Sequence, residues 1–252
     1  MGIAGRTLQT VGTVLTVAWA LKSLIAYHTW KLDEVMEDVA SSPLPLNENG
    51  LAYWRKLVAP YYAEKQSKMR CHTVITTLIA LGLCIQFIKR IRQDNLDVHR
   101  IVGRLTLGGT LFAYPHFVKL LAGFFHQTGK YMESLVLFMI PYYAIIGWIQ
   151  IRNKHVMEHR ASMIMFASCF YYFGVSRLVM MAMNAIHSGP WAKYTGLGDW
   201  RDWSSKDVDD FFGISIAIGF PLTFGTAAYN AYFGPNAQST KFKKSSVGAK
   251  AA

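Results

Sequence analysis

The sequence predicts an all-α integral membrane bundle of about six transmembrane helices, and three observations carry that prediction. The first is composition: 52% of the 252 residues are hydrophobic and 16% are charged, against about 25% charged in an ordinary soluble domain. The second is a series of apolar runs close to the ~20 residues a helix needs to cross a bilayer. They cover Leu8–Tyr27, Met69–Ile88, Leu105–Phe125, Ser134–Ile151, Ser162–Ile186 and Phe211–Phe233.

The third is the siding of charge. With alternating spans, one set of connections carries Arg6, Lys89, Arg90, Arg92, Arg100, Arg104, Arg152, Lys154, Arg160, Lys241, Lys243, Lys244 and Lys250. Opposed only by Asp94, Asp97 and Glu158, they sum to +10, while the other set sums to −2. Cationic loops stay on the side from which insertion occurs, so both termini are expected inside, in cytoplasm or mitochondrial matrix. The net charge of +11 is thereby read as a topology signal and not as a nucleic-acid interface. Part of it is available to anionic lipid headgroups at the inner face.

Taken in order, residues 1–28 hold the first span, read as retained because no A-x-A cleavage site follows it. Residues 29–68 form an outer amphipathic segment. In it the turn cluster SSPLPLNENG separates two helical pieces, and YWRKLVAPYYAEK is expected to lie along the interface. Residues 69–187 make a four-helix membrane core. Residues 188–210 are an outer loop with Trp191, Trp200 and Trp203, read either as aromatic-belt anchors or as a docking surface for another subunit. The sixth span is 211–233, and 234–252 is a basic tail expected to be disordered. Cys71, Cys84 and Cys169 lie in or beside apolar runs without a CxxC, as small buried hydrophobes do.

Three cations, Lys22, Lys119 and Arg177, fall inside spans, all towards the outer leaflet, and no Asp or Glu falls in a span interior. A charge at mid-bilayer costs at least ~2.5–3.5 kcal/mol, so each needs an exit or a partner. Snorkelling with bonds to tyrosines and backbone carbonyls is one reading. The other takes the anion from outside the chain: a phospholipid phosphate, a haem propionate or a quinone-like head. Haem b between helices needs two imidazoles at matching depth. Counted from the span ends, His72 and His116 differ by about six residues, roughly 9 Å at the helical rise, which makes them a poor axial pair, so a lipid phosphate or quinone-like head is set beside haem. The candidate ligand set is therefore His72, His116, Lys119 and Arg177, with phospholipid or haem b as the group held. His99 and His159 match in depth but sit at the inner surface. No HExxH, P-loop or GxSxG is present, so no catalytic constellation and no metal site is expected.

The inner connections repeat one another. Ile91-Arg92 precedes His99-Arg100 by the same interval that separates Ile151-Arg152 from His159-Arg160, which makes two parallel helical hairpins a candidate internal repeat. In the first, Arg100 and Arg104 share a helix face, Asn95 or Asp97 caps the helix start, and Gly103 lets a neighbouring helix approach. The helix N-terminus disfavours a protonated His99, which is expected neutral and hydrogen-bonded.

These residues also resemble those of an uncharacterised, mostly bacterial family of predicted multi-pass membrane proteins. That family's pattern runs from a histidine opening a span, through Gln-Phe, to HRxxGR, then HRxWMxR and a later Arg-Leu. The matching residues are His72, Gln86-Phe87, His99-Arg100, Gly103-Arg104, His159-Arg160, Met163 and Arg177-Leu178, over about residues 69–180. Ser162 stands where the family has Trp, and Met165 where it has its second Arg. The resemblance implies a fold and no particular activity.

The functional expectation is a non-catalytic membrane subunit that binds lipid and other subunits in a larger complex of respiratory or ATP synthase type. The alternatives are a haem- or quinone-binding redox protein and a small transporter. The mitochondrial inner membrane is preferred to a bacterial plasma membrane, because the outer segments look like additions for assembly contacts.

Overall fold

The computed structural model describes residues 3–41, 47–121, 130–187 and 203–233, and their regular structure is entirely helical. The basic tail, Trp191, Trp200 and half of the first turn cluster (42–46) lie outside the described residues. In chain order the helices are α1 (Ile3–Thr29), α2 (Leu32–Ala40), α3 (Glu48–Tyr62), α4 (Gln66–Phe87), α5 (Lys89–Asp94) and α6 (Leu96–Leu121). They are followed by α7 (Lys130–Arg152), α8 (Val156–His187) and α9 (Ser205–Ala228), which runs into a π-helical turn at Tyr229–Phe233.

Local sequence explains several boundaries. Asn47 caps α3, its side chain accepting from the Gly50 amide at 2.8 Å, and Ser204 with Asp207 forms a reciprocal capping box at the start of α9. Between α7 and α8 the chain reverses through Lys154 in the left-handed region, at φ 62°.

Five stretches are long and apolar enough to cross a membrane: Thr10–Thr29, Gln66–Phe87, Tyr131–Arg152, Val156–Met183 and Ser205–Phe233. An integral membrane protein fits this pattern. The sixth expected span, Leu105–Phe125, is not among them. It forms most of α6, but Arg104 and Lys119 bound its apolar stretch at Leu105–Val118, which also holds Pro115 and His116. Residues 122–125 lie outside the described residues.

Helix α8 is the hub. It packs along α1, α7 and α9, while α4 packs on α1 and α6 on α4. Two glycines permit its closest crossings. A Cβ at Gly174 would stand 2.5 Å from the Gly12 carbonyl of α1, and one at Gly219 of α9 would stand 2.5 Å from Ser176 Oγ. Without a hydrophobic drive between helices in lipid, such close backbone approach is what holds them together. Phe166, Phe170, Tyr172 and Phe224 fill the space between. Several buried hydroxyls are satisfied within their own helices, as when Thr110 donates to Thr106 O at 2.7 Å and Thr223 to Gly219 O at 2.8 Å. The perimeter carries exposed Leu78, Leu105, Phe112 and Phe138, an apolar surface suited to lipid.

Helix α3 packs one side against the bundle. Its Val58 and Tyr61 are buried, and Trp54 meets Phe212 of α9 edge-on at 5.1 Å between centroids. Trp203 corrects the belt-anchor expectation: it is 3% exposed, in a second core with Met180, Val208, Phe211 and Phe212. Asn47 and Asn49 both donate to its carbonyl, at 2.8 and 3.1 Å. The expected buried thiols are likewise corrected at Cys71, which is exposed, whereas Cys169 is buried.

Candidate functional site

Two polar clusters stand at opposite ends of the bundle. One is built by the connectors between α4 and α6 and between α7 and α8, whose sequences echo one another. Gln86, near the end of α4, donates to the His99 carbonyl at 2.8 Å. Gly103 makes room for it, since a Cβ there would stand 3.2 Å from Gln86 Oε1. In the second hairpin the His159 ring bonds Gly147 O through Nδ1 at 2.8 Å, and Ser162 donates to Gln150 Oε1 at 2.7 Å. Equivalent positions of the repeat thus make different bonds: a backbone carbonyl in one hairpin, an imidazole in the other.

His99 and His159 lie within electrostatic reach of one another, with Arg92 and Arg100 beside His99 and Arg92 beside Arg160. Burial, followed by the nearby His159, Arg92 and Arg100 charges, holds the His99 imidazole below its ordinary range. The hydrogen bond expected of its ring is not found at the buried Nδ1, which has no partner. Arg100 pairs with Asp97 at 3.1 Å. Arg104 and Arg152 are exposed and take no part in the cluster.

The second cluster was not legible beforehand. Tyr53 of α3 donates to Asp209 of α9 at 2.6 Å. Glu133, in the first turn of α7, interacts with Arg177, Asp209, Tyr53 and Tyr172. Arg177 itself lies over the Trp19 ring of α1, 4.8 Å from its centroid, with an Nη1 contact to Met180 Sδ at 3.7 Å. Three buried polar atoms in this region, Trp54 Nε1, Glu133 Oε2 and Ser176 Oγ, have no hydrogen-bond partner.

The expectation that no carboxylate reaches the intramembrane cations is therefore corrected. Lys22 pairs with Asp38 of α2 at 2.6 Å, and the charge facing Arg177 is Glu133. Both carboxylates lie outside the apolar runs read from the sequence and fold back onto them.

The four candidate ligands are not brought to one place. Arg177 is on α8 against α1, Lys119 is exposed near the end of α6, and His72 and His116 lie between α4 and α6. These two histidines are closer in depth than span counting implies. His116 Nε2 bonds the Lys68 carbonyl at 3.1 Å, and the His72 ring stands edge-on to Phe117 at 5.1 Å. That arrangement does not fit a bis-histidine haem, because His116 Nε2 is already engaged by the backbone of the facing helix and His72 is wedged against Phe117. Among the described residues, no group of three or more His, Cys, Asp or Glu could hold a metal ion.

Compared with known proteins, the chain matches no family model, no curated protein and no solved structure. Its departures from the pattern described above are structurally settled. Ser162 is buried on Gln150, and Met165 is buried in the main core.

Proposed function

We propose that the chain is a non-catalytic multi-pass membrane subunit, binding lipid and neighbouring subunits within a larger complex of respiratory or ATP synthase type. In this reading α6 is the sixth span, both termini are inside, and the two hairpins are the repeat of the uncharacterised family it resembles. The mitochondrial inner membrane is the preferred compartment.

One observation carries the reading. Leu105, Gly108, Gly109 and Phe112 share one face of α6 by helical spacing. Nothing lies within 4 Å of a Cβ built at either glycine, and Phe112 is 90% exposed. Small residues on a membrane helix admit a second helix closely, and no helix among the described residues uses this face. A span made marginal by Arg104 and Lys119 gains most from a protein neighbour there. The test is native electrophoresis of gently solubilised membranes followed by mass spectrometry. Migration with other subunits is expected; a monomer that turns over a substrate alone overturns the reading.

A second reading, a small transporter, is favoured by Glu133, whose buried Oε2 is unpartnered beside Arg177. Intramembrane carboxylates of this kind serve ion coupling. Proteoliposomes holding the chain alone would show solute uptake driven by a pH gradient and abolished by Glu133→Gln; no uptake removes this reading.

A further inference from the structure

Helices α1 and α9 both pack along α8 but scarcely touch each other, so a seam of the hub helix lies between them. Ser168, Tyr171 and Val175 follow one another along that seam at helical spacing. Val175 Cγ2 stands 3.0 Å from a Cβ built at Gly12, which places α1 on one side of it. Thr223, Thr226 and Asn230 repeat the same spacing on α9 and form the facing wall of a cleft of about 350 Å³, its open mouth included. The polarity of this cleft is graded. Ser168 and Thr223 donate their hydroxyl protons to carbonyls of their own helices, each at 2.8 Å. Thr226 and Asn230 make no side-chain hydrogen bond among the described residues. Asn230 belongs to the π-helical turn Tyr229–Phe233, a winding often met at functional sites. None of the described lining residues is charged. Within the apolar stretch Ser205–Phe233, Asn230 stands three residues from the end and Thr223 ten. The cleft therefore runs from the membrane boundary to roughly 15 Å deep at the helical rise, about half the hydrocarbon thickness. An amide and a hydroxyl left unbonded against hydrocarbon are costly, so the boundary end calls for an acceptor.

We propose that this cleft holds one acyl chain of a glycerolipid. The ester carbonyl accepts from the Asn230 amide and the Thr226 hydroxyl, and the chain runs past Ser168 and Thr223 to Val175. Glycerol esters sit at the boundary between headgroups and hydrocarbon, which is the depth of Asn230. An uncharged slot whose deeper hydroxyls are already bonded suits a hydrocarbon chain and offers nothing to a phosphate. Recognition is therefore by the ester and not by the headgroup. The site deepens the lipid-binding part of the proposed function and rests on the membrane reading. Its test uses the isolated full chain, so its failure and that of the assembly experiment are told apart.

Native mass spectrometry of the purified chain in neutral detergent is run with an equimolar pair of phosphatidylcholines, one ester-linked and one ether-linked, so that only the carbonyls distinguish them. The ester form is expected to be retained severalfold over the ether form and to raise Tm by several degrees more. Ester-linked phosphatidylglycerol should do no better than ester-linked phosphatidylcholine. Retention of the anionic lipid alone overturns the site, because charge at the helix ends then accounts for binding. Asn230→Leu and Thr226→Val keep bulk and remove a donor each, and both should lower the ester-to-ether ratio, the double variant bringing it close to parity. Thr76→Val, which removes a hydroxyl bonded within α4, should leave the ratio unchanged. The parent's own ratio needs no variant to fold. Equal retention of the two lipids there, or retention of neither, overturns the proposal. So does an ester preference that survives the double variant, or a quinone in the solvent extract of the purified chain in place of lipid.

Discussion

The guanidinium of Arg177 lies over the indole of Trp19, 4.8 Å from the ring centroid, and joins the hub helix to α1. The same ring has the Lys22 ammonium 6.0 Å from its centroid. Aromatic face and cations so placed attract one another through the ring quadrupole, by about 0.5 kcal/mol when exposed to about 2 kcal/mol when dry.

Trp19→Leu keeps apolar bulk and removes that face. It is expected to lower unfolding stability in detergent by about 0.5–2 kcal/mol, and Trp19→Phe by less. Glu133→Gln combined with Trp19→Leu tests whether the carboxylate and the ring share the stabilisation of Arg177: a loss larger than the sum of the two single variants is expected, since each backs up the other.

Tyr53 links α3 to α9 through its 2.6 Å bond to Asp209. Tyr53→Phe removes a hydrogen bond to a charged acceptor and is expected to cost about 1.5–3 kcal/mol. Burial first, then the Asp209 bond and charge, push the Tyr53 hydroxyl far above the ordinary tyrosine range, and burial pushes Tyr62 up to about 12. Raised values mean the folded state holds these protons when the unfolded chain has begun to lose them. Stability from them is complete below the unfolded value near about pH 10 and is lost as pH rises beyond it. Unfolding curves from pH 9 upward should fall less steeply in Tyr53→Phe than in the parent.

His99 works in the opposite direction. Its depressed value means the unfolded chain takes up the proton first, so stability falls as pH drops below about 6.5. His99→Gln should flatten that acid limb. In Arg92→Gln the imidazole should titrate higher, because one of the neighbouring cations is gone, and nuclear magnetic resonance of the histidine ring protons reads the shift directly.

Gly174→Val places a branched side chain where a Cβ already meets the Gly12 carbonyl at 2.5 Å. The α1–α8 crossing must open, at a cost of about 1–3 kcal/mol or more. Gly225→Ala, at a glycine with nothing within 4 Å, is expected to be neutral. Equal melting temperatures for the two variants would show that α1 is held by other contacts.

Apolar length and charge siding carried the membrane reading, because both are summed over many residues and no single placement decides them. The partners of Lys22 and Arg177 were not legible. Asp38 and Glu133 sit outside the apolar runs, and only tertiary folding returns them to the cations. Trp203 reads as a belt anchor by composition, and nothing short of its packing against Phe211 and Phe212 distinguishes anchor from core. The depths of His72 and His116 were misplaced because α4 begins before the expected span and α6 begins nine residues before Leu105. His99 and His159 come within electrostatic reach of each other, as do Arg92 and Arg160, and the second proximity was not legible in the sequence interval.

The central position of α8 has a consequence for how the protein is made. A chain synthesised from its N-terminus delivers α1, α4, α6 and α7 before the helix on which α1 and α7 close. Until Gly174 emerges, Gly12 has no backbone to seat against, and Trp19 waits without its guanidinium. Helix α4 can already pair with α1 and with α6, whereas the α1–α8 and α7–α8 crossings close only once the fifth long helix is made. Whatever protects nascent membrane segments from proteolysis acts for longest on the N-terminal half of this chain.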